Sequence, residues 1–277
     1  MVSKFYSNAK INLALSINYQ RPDSYHDISS IMQEINLYDI IEISKYNSNV
    51  INITSKGLKV PEDQSNLCYI AAKLFLEYYN IDSGVNITIN KTIPIGAGLG
   101  GGSSNAATVI KGLSQLFDIP ITKDIFYDLS SQIGADVFFF YNGGIQYVEG
   151  IGDKLTPLSP LLNGYYFLLV YPDIEISTPW AYNKYKKYLE NHSNASKFVP
   201  LSDELDWSLL RNDFEKVVLS TYPEIMKIKN QLQDSGALFS SLSGSGSTMF
   251  GVYDNLESIR NISDSFNAYQ TYEALPI

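Results

Sequence analysis

The chain has 277 residues, 45% of them hydrophobic, which suits one large or two ordinary domains around a real core and excludes a disordered polar chain. A formal net charge of −9 with only 20 lysines and arginines excludes the basic footprint of a nucleic-acid or anionic-membrane binder; backbone amides and one well-placed lysine can still hold a phosphate. No run approaches the roughly 18 apolar residues of a membrane span, the start Met1-Val2-Ser3-Lys4-Phe5-Tyr6 has no signal-peptide core, and the expectation is a cytoplasmic protein.

In chain order, Lys10 to Asn18 alternates Ile11, Leu13, Leu15 and Ile17 with Lys10, Asn12, Ala14, Ser16 and Asn18, the period of a strand. Lys10 and Asn12 share its other face, and on the residues alone that face is the solvated one. A turn follows at Arg21-Pro22-Asp23-Ser24-Tyr25-His26-Asp27, whose histidine is either a local hydrogen-bonding residue or a functional one. Strands are expected around Tyr38 to Ile43 and Val50 to Ser55. Asn66 to Tyr79 then carries Leu67, Ala71, Leu74, Phe75 and Tyr78 at helical spacing. Cys68, the single cysteine, falls on this segment and is read as a buried small residue without chemistry.

Val85, Ile87 and Ile89 alternate with Asn86, Thr88 and Asn90, and Ala106, Val109, Ile110, Leu113 and Phe117 repeat at helical spacing. Between strand and helix stands Pro94-Ile95-Gly96-Ala97-Gly98-Leu99-Gly100-Gly101-Gly102-Ser103-Ser104-Asn105, where Ser103, Ser104 or Asn105 is expected to cap the helix. Glycines in this place let successive N–H groups point at one anion beside the positive end of a helix dipole. A dinucleotide fingerprint would need a second strand ending in an acid about 20 residues on, and the chain instead runs into Phe117-Asp118-Ile119-Pro120. The Walker loop is excluded because no Lys-Ser/Thr pair follows the glycines, and a flexible linker would not sit between two periodic segments. The expected guest is a nucleoside triphosphate.

Thr122 caps a further amphipathic segment with Ile125, Leu129 and Ile133. Asp136 stands directly before the apolar Val137-Phe138-Phe139-Phe140, either as a helix cap or as a partly buried carboxylate able to accept a proton. The proline-containing Thr156-Pro157-Leu158-Ser159-Pro160 marks a boundary between domains 1–156 and 157–277. Beyond it come a strand at Tyr165 to Tyr171, a helix opening at Thr178-Pro179-Trp180, and a polar loop from Asn191 to Ser196 whose His192 is read as a solvated surface residue. Helices are expected over Leu209 to Ser220 and Pro223 to Asp234. Ser240-Ser241-Leu242-Ser243-Gly244-Ser245-Gly246-Ser247-Thr248, leading into a strand from Met249 to Tyr253, forms a second small-residue nest.

The glycine run ending in Ser-Ser-Asn-Ala-Ala, the Lys10-Ile11-Asn12-Leu13 strand, Gly134-Ala135-Asp136-Val137 and the late Ser243-Gly244-Ser245-Gly246 together resemble the GHMP kinase superfamily over nearly the whole chain. Within it, the first strand, the Arg21 to His26 turn and the Asp136 segment resemble the branch acting on 4-diphosphocytidyl-2-C-methyl-D-erythritol, and Arg211-Asn212-Asp213-Phe214-Glu215 is similar to an Asn-Asp-hydrophobic-Glu motif there. The resemblance implies a two-domain α/β fold, a ribosomal-S5-like ATP-binding N-terminal domain followed by a ferredoxin-like C-terminal domain. It implies ATP and Mg²⁺ as cofactors and that small molecule as acceptor, with no nucleic acid or membrane partner. Lys10 and Asp136 take the catalytic places. Pro94, Ile95, Gly96, Ala97, Gly98, Leu99, Gly100, Gly101, Gly102, Ser103 and Ser104 take the ATP phosphates, with Asn66 on the adenine side. Asn12, Tyr25, His26, Tyr182, Gly244, Ser245 and Gly246 take the acceptor. Metal ligands and oligomeric state are left unassigned. Ser24 stands where glycine is usual and Asp153 where glutamate is usual. A non-catalytic relative would lose the Lys-Asp pair, and a sibling kinase for homoserine, mevalonate or galactose would lack Tyr-His after the first strand.

Overall fold

The computed structural model describes residues 2–191 and 206–277, so the His192 reading and nearly all of the polar loop lie outside the described residues. The chain divides into two compact units that interleave: Met1–Ala9, Tyr38–Ile95 and Gly100–Gly143 form the first, and Lys10–Leu37, Gly96–Leu99 and Gly144–Ile277 the second. Interleaving follows from two long strands, β1 (Ser3–Gln20) and β2 (His26–Tyr46), each of which contributes residues to both units. Among the described residues no helix is long and apolar enough to cross a membrane.

The first unit contains β3 (Ile51–Gly57), α1 (Leu67–Tyr78), β4 (Gly84–Lys91), α2 (Gly101–Phe117) and α3 (Lys123–Ser131). The period-two pattern of β4 buries Val85, Ile87 and Ile89, and its register sets Ile87 opposite Ile43 of antiparallel β2 and Ile53 of parallel β3. One face of α1 buries Cys68, Ala71, Ala72 and Phe75, and it packs against α2, which buries Ala106, Val109, Ile110 and Leu113. Thr122 caps α3 as expected, accepting from the Ile125 N–H at 3.3 Å.

The second unit contains β5 (Ile145–Gly150), β6 (Lys154–Pro157), β7 (Tyr166–Tyr171), α4 (Thr178–Asn191), α5 (Glu215–Thr221), α6 (Pro223–Asp234), β8 (Phe239–Leu242), β9 (Met249–Tyr253), α7 (Leu256–Ser263) and β10 (Gln270–Ala274). The first part of β2 pairs antiparallel with β5, which pairs with β6, and a separate antiparallel sheet runs β10-β7-β9-β8. Leu168, Val170, Leu242 and Met249 from that sheet bury against Tyr185, Phe214, Val218, Ile228 and Leu232 from the helical side.

Three expectations change. Lys10 and Asn12 are 3% and 1% exposed, so the polar face of β1 is a second buried face; alternation alone cannot tell solvent from a hydrogen-bonded interior. The helix expected over Leu209 to Ser220 starts only at Glu215, because the Leu15 N–H donates to the Arg211 carbonyl and the Asp213 N–H to the Leu15 carbonyl, both at 2.8 Å, which ties Asn212 to β1 in a parallel bridge before the chain turns into the helix. Asp136 is not a helix cap, since the 3-10 turn Phe138–Tyr141 is preceded by Val137 and has no side-chain cap.

Asp39 and Lys91 form a buried ion pair in the first unit, with side chains 0% and 3% exposed. Asp39 Oδ1 accepts from the N–H groups of Thr92 at 2.7 Å and Ile93 at 2.9 Å, and Asn105 Nδ2 donates to Oδ2 at 2.9 Å, so the carboxylate is fully hydrogen-bonded. Removing one partner strands the other charge. Lys91→Met is expected to lower unfolding free energy by about 3–5 kcal/mol, read from urea denaturation, and adding Asp39→Asn is expected to recover part of that loss; a single variant as stable as the parent would contradict this.

Candidate active site

The glycine loop has the backbone its composition asks for. Gly96, Gly98 and Gly100 have φ of 65°, 79° and 68°, left-handed values that cost an L side chain roughly 1–2 kcal/mol each. Gly100 is itself the N-cap of α2, and no side chain caps the helix. Ser103, Ser104 and Asn105 therefore do not serve as the expected caps. The Ser104 N–H donates to the Gly100 carbonyl at 2.9 Å, so the helical ladder starts there and leaves the amides of Gly101, Gly102 and Ser103 directed along the helix axis. Such a row, uncapped at the N-terminus of a 17-residue helix, fits an anion such as a nucleotide phosphate.

Ser104, expected among the phosphate contacts, turns its side chain into the interior. It is 1% exposed, and its hydroxyl is shared with that of Ser7 at 2.8 Å, while Asn105 Nδ2 donates to Ser7 Oγ at 2.9 Å. Helical geometry turns Ser104 and Asn105 inward onto β1 and leaves Ser103 partly exposed. Asn66, expected on the adenine side, caps α1 by accepting from the Cys68 N–H at 2.9 Å and donates Nδ2 to the Pro61 carbonyl at 2.6 Å. Asp136 is half-buried in the turn between α3 and the aromatic run, also in the first unit.

In the second unit the Gly96–Leu99 stretch meets the late serine-glycine loop. A Cβ on Gly98 would stand 2.0 Å from the Ser243 carbonyl oxygen, so only glycine permits the approach. The Ser243 hydroxyl donates to the Gly98 carbonyl at 2.9 Å and accepts from the Asn12 N–H at 3.3 Å. The Thr248 N–H donates to the Ala97 carbonyl at 3.2 Å, and the Lys10 N–H donates to the Leu99 carbonyl at 3.0 Å. Lys10 Nζ donates to Asn12 Oδ1, and Asn12 Nδ2 donates to Ser30 Oγ at 2.9 Å. Lys10, Asn12, Gly98 and Gly244 thus lie together. Ser243, which ties them together, was not among the expected site residues; a serine inside a small-residue run carries no signal that marks it out from its neighbours.

Tyr25, His26 and Tyr182 also lie in this unit. Asp23 Oδ1 accepts from the Tyr25 N–H at 3.1 Å, Ser24 takes φ 70°, and Tyr25 is left 60% exposed. The left-handed Ser24 explains why glycine is usual there. The His26 and Tyr182 rings are stacked, with centroids 4.5 Å apart and planes 14° from parallel, and Phe214 meets Tyr182 edge-on. One face of the histidine ring is thereby covered by Tyr182. A cavity of about 290 Å³ continues from His26 along α4, lined by Ile17, Tyr19, Tyr185, Lys186 and Leu189 among others. Burial, and then the Lys186 ammonium, hold the His26 imidazole below its ordinary value.

Two further residues settle into structural tasks. Asp153 accepts from the Ile151 N–H at 3.0 Å and so closes the β5–β6 turn. Cys68 is 1% exposed, and burial pushes its thiol up to about 12. Among the described residues there is no group of three His, Cys, Asp or Glu able to hold a metal ion.

Residues 66–144 match the model of the GHMP kinase N-terminal domain and residues 189–270 that of the GHMP kinase C-terminal domain. A 4-diphosphocytidyl-2-C-methyl-D-erythritol kinase from Clostridium botulinum strain Hall is 41% identical over 261 residues, covering 92% of each chain. The chain belongs to this family of GHMP kinases. The Chlorobium phaeobacteroides relative of the same name is 38% identical and covers 94% of this chain and 92% of its own. A crystal structure of 4-(cytidine 5'-diphospho)-2C-methyl-D-erythritol kinase superposes with a TM-score of 0.80 at 26% identity over 99% of both chains. Homoserine kinase from Cytophaga hutchinsonii, at 18% identity and a TM-score of 0.69, shares the fold.

The depressed His26 value has a consequence for pH. Its folded value lies below the unfolded imidazole value of about 6.5, so the neutral stack is at full strength above that pH and is lost as pH falls through the folded value. The imidazole ¹H–¹⁵N signals of His26 are expected to titrate with a midpoint below 6.5, moving upward in Lys186→Met; a midpoint at or above the free value in the parent would contradict the assignment.

Proposed function

We propose that the chain transfers the γ-phosphoryl group of ATP to the 2-hydroxyl of 4-diphosphocytidyl-2-C-methyl-D-erythritol, giving the 2-phosphate and ADP. The observation that carries this reading is the Gly98–Ser243 junction, which joins a glycine loop to the strand bearing Lys10 and Asn12. The names of the relatives supply the substrate class. Phosphates would be held by the amides of Gly101, Gly102 and Ser103, and magnesium accompanying ATP would supply charge neutralisation.

The chemistry asks little covalent help of the protein. The acceptor oxygen bonds to the γ-phosphorus, the bond to the bridging oxygen of ADP breaks, and the hydroxyl proton passes to the Asp136 carboxylate. Lys10 opposes the negative charge that develops during transfer. Positioning does most of the rest. The Tyr25, His26 and Tyr182 rings would take the pyrimidine, where stacking contributes about 1–3 kcal/mol per base. Binding energy at that distance from the reacting hydroxyl can appear in turnover as well as in KM.

Asp136→Asn is expected to lower kcat by about 10²–10⁴ with nucleotide binding little changed, measured by coupled ADP release and by nucleotide titration. Nearly full turnover would remove the carboxylate from the reaction. Tyr25→Ala is expected to raise KM for the acceptor roughly tenfold, the equivalent of about 1.4 kcal/mol. Methylerythritol phosphate lacking the cytidine should be a very poor acceptor for the parent chain. Equal or better transfer to that precursor, to homoserine or to mevalonate would replace this substrate by a sibling's.

A further inference from the structure

The segment Arg211-Asn212-Asp213-Phe214-Glu215, which stands out in the sequence and has no task in the reaction above, lies wholly within the second unit. Its backbone is anchored to β1 on both sides of Asn212. The Leu15 N–H donates to the Arg211 carbonyl and the Asp213 N–H to the Leu15 carbonyl, and Asp213 Oδ2 accepts from the Ile17 N–H at 2.9 Å. From this anchored position Asn212, 3% exposed, reaches the late glycine loop. Its Nδ2 donates to the Leu242 carbonyl at 2.7 Å and to the Gly244 carbonyl at 2.8 Å, and its Oδ1 accepts from the Phe214 N–H at 3.0 Å. Two carbonyls on one side and an N–H on the other leave the amide a single orientation that satisfies every partner.

Glu215 completes the grip. Its Oε1 accepts from the Leu242 N–H at 2.9 Å and from the Ser241 hydroxyl at 3.0 Å, while Lys229 pairs with Oε2. Leu242 is thereby held by both its N–H and its carbonyl, and the carbonyls before and after Ser243 are held by one side chain. Ser243 between them makes the contacts to Gly98 and Asn12. A loop of serines and glycines is intrinsically loose, with Gly244 and Gly246 at φ of 57° and 92°. Something outside the loop must set its pitch.

We propose that Asn212 is a positioning residue for phosphoryl transfer: its amide clamps the Ser243–Gly246 loop so that Ser243 meets Gly98, and through that contact it sets the placement of the Gly96–Leu99 stretch of the glycine loop and of the Lys10–Asn12 strand beside it. The proposal rests on the kinase reading above. Asn212 itself touches no reacting atom; it acts through Ser243.

Asn212→Asp separates this role from simple packing, because it keeps the volume and the oxygen facing the Phe214 N–H while setting a carboxylate oxygen against two carbonyls. At a temperature well below its melting point, the variant is expected to show kcat reduced roughly ten- to a hundredfold, the scale on which small misplacements act. Amide exchange should accelerate at Ser243 and Gly246, whose N–H groups donate within the loop at 2.9 Å in the parent. As pH falls and the new carboxyl gains a proton, it can again donate, so the ratio of variant to parent kcat should recover; Asn212→Leu should show no such recovery. Glu215→Gln, which loosens the same clamp from its other end, should move exchange and kcat the same way by a smaller factor, and it carries the test if Asn212→Asp does not fold. Wild-type kcat and exchange in a folded variant, or a lower melting point with wild-type kcat, overturns the proposal. Exchange is read without substrates, so a parent chain that fails to phosphorylate the cytidylylated acceptor overturns the reaction while exchange in the variants still judges the clamp.

Discussion

The second unit depends on a contact that only a hydrogen atom permits. Gly98 and the Ser243 carbonyl approach to a distance no side chain would tolerate, and from that approach the Ser243 hydroxyl reaches both the Gly98 carbonyl and the Asn12 N–H. Three chain segments far apart in sequence are thus fixed to one another by a single small side chain. Their burial then dictates the remaining chemistry, because each polar group taken from water must find a partner. Lys10, Asn12 and Ser30 satisfy one another, and Asn212 satisfies the two carbonyls flanking Ser243.

What could be read in the sequence is what depends on local periodicity. The strand carrying Val85, Ile87 and Ile89, the helix buried through Val109 and Ile110, and the proline-led helix Pro223–Asp234 are where their patterns place them. Tertiary pairing decided the rest. The stretch before Glu215 has helical spacing and is not helical because β1 takes its backbone at Arg211 and Asp213. Lys10 looks solvated because a polar residue on a strand usually is, and no pattern reports that a second buried face awaits it. The cap at Thr122 was legible, the one at Asn66 was not, that residue being read on the adenine side, and caps were misread at Ser103 to Asn105, where a left-handed glycine ends the loop and the hydroxyls turn inward. Of the site, the glycines and the Tyr-His turn were visible as motifs, whereas Ser7 and Ser243 act only through partners about 100 or more positions away.

The fold does not by itself choose a substrate. Homoserine and mevalonate kinases at 18% identity share it over 98–99% of this chain. The stretch proposed to distinguish this chain is short: a turn bent at a left-handed Ser24, a tyrosine left open to solvent, and a histidine stacked on a tyrosine ring, its imidazole held below its ordinary value by burial. A serine in that backbone conformation is tolerated where glycine would be relaxed, which points to a turn whose shape is held by Asp23 and by the Arg21 ion pair rather than by its central residue.

Cys68 gives the molecule an incidental property. Its thiol is enclosed in α1 and pushed up to about 12, so almost none of it is thiolate near neutrality and oxidants and alkylating reagents find no nucleophile. The chain carries no other cysteine. A cysteine introduced at an exposed position such as Tyr25 or Ile95 would therefore be the one reactive thiol in the protein, a position for a single fluorophore or spin label attached with no need to remove the native residue from its core.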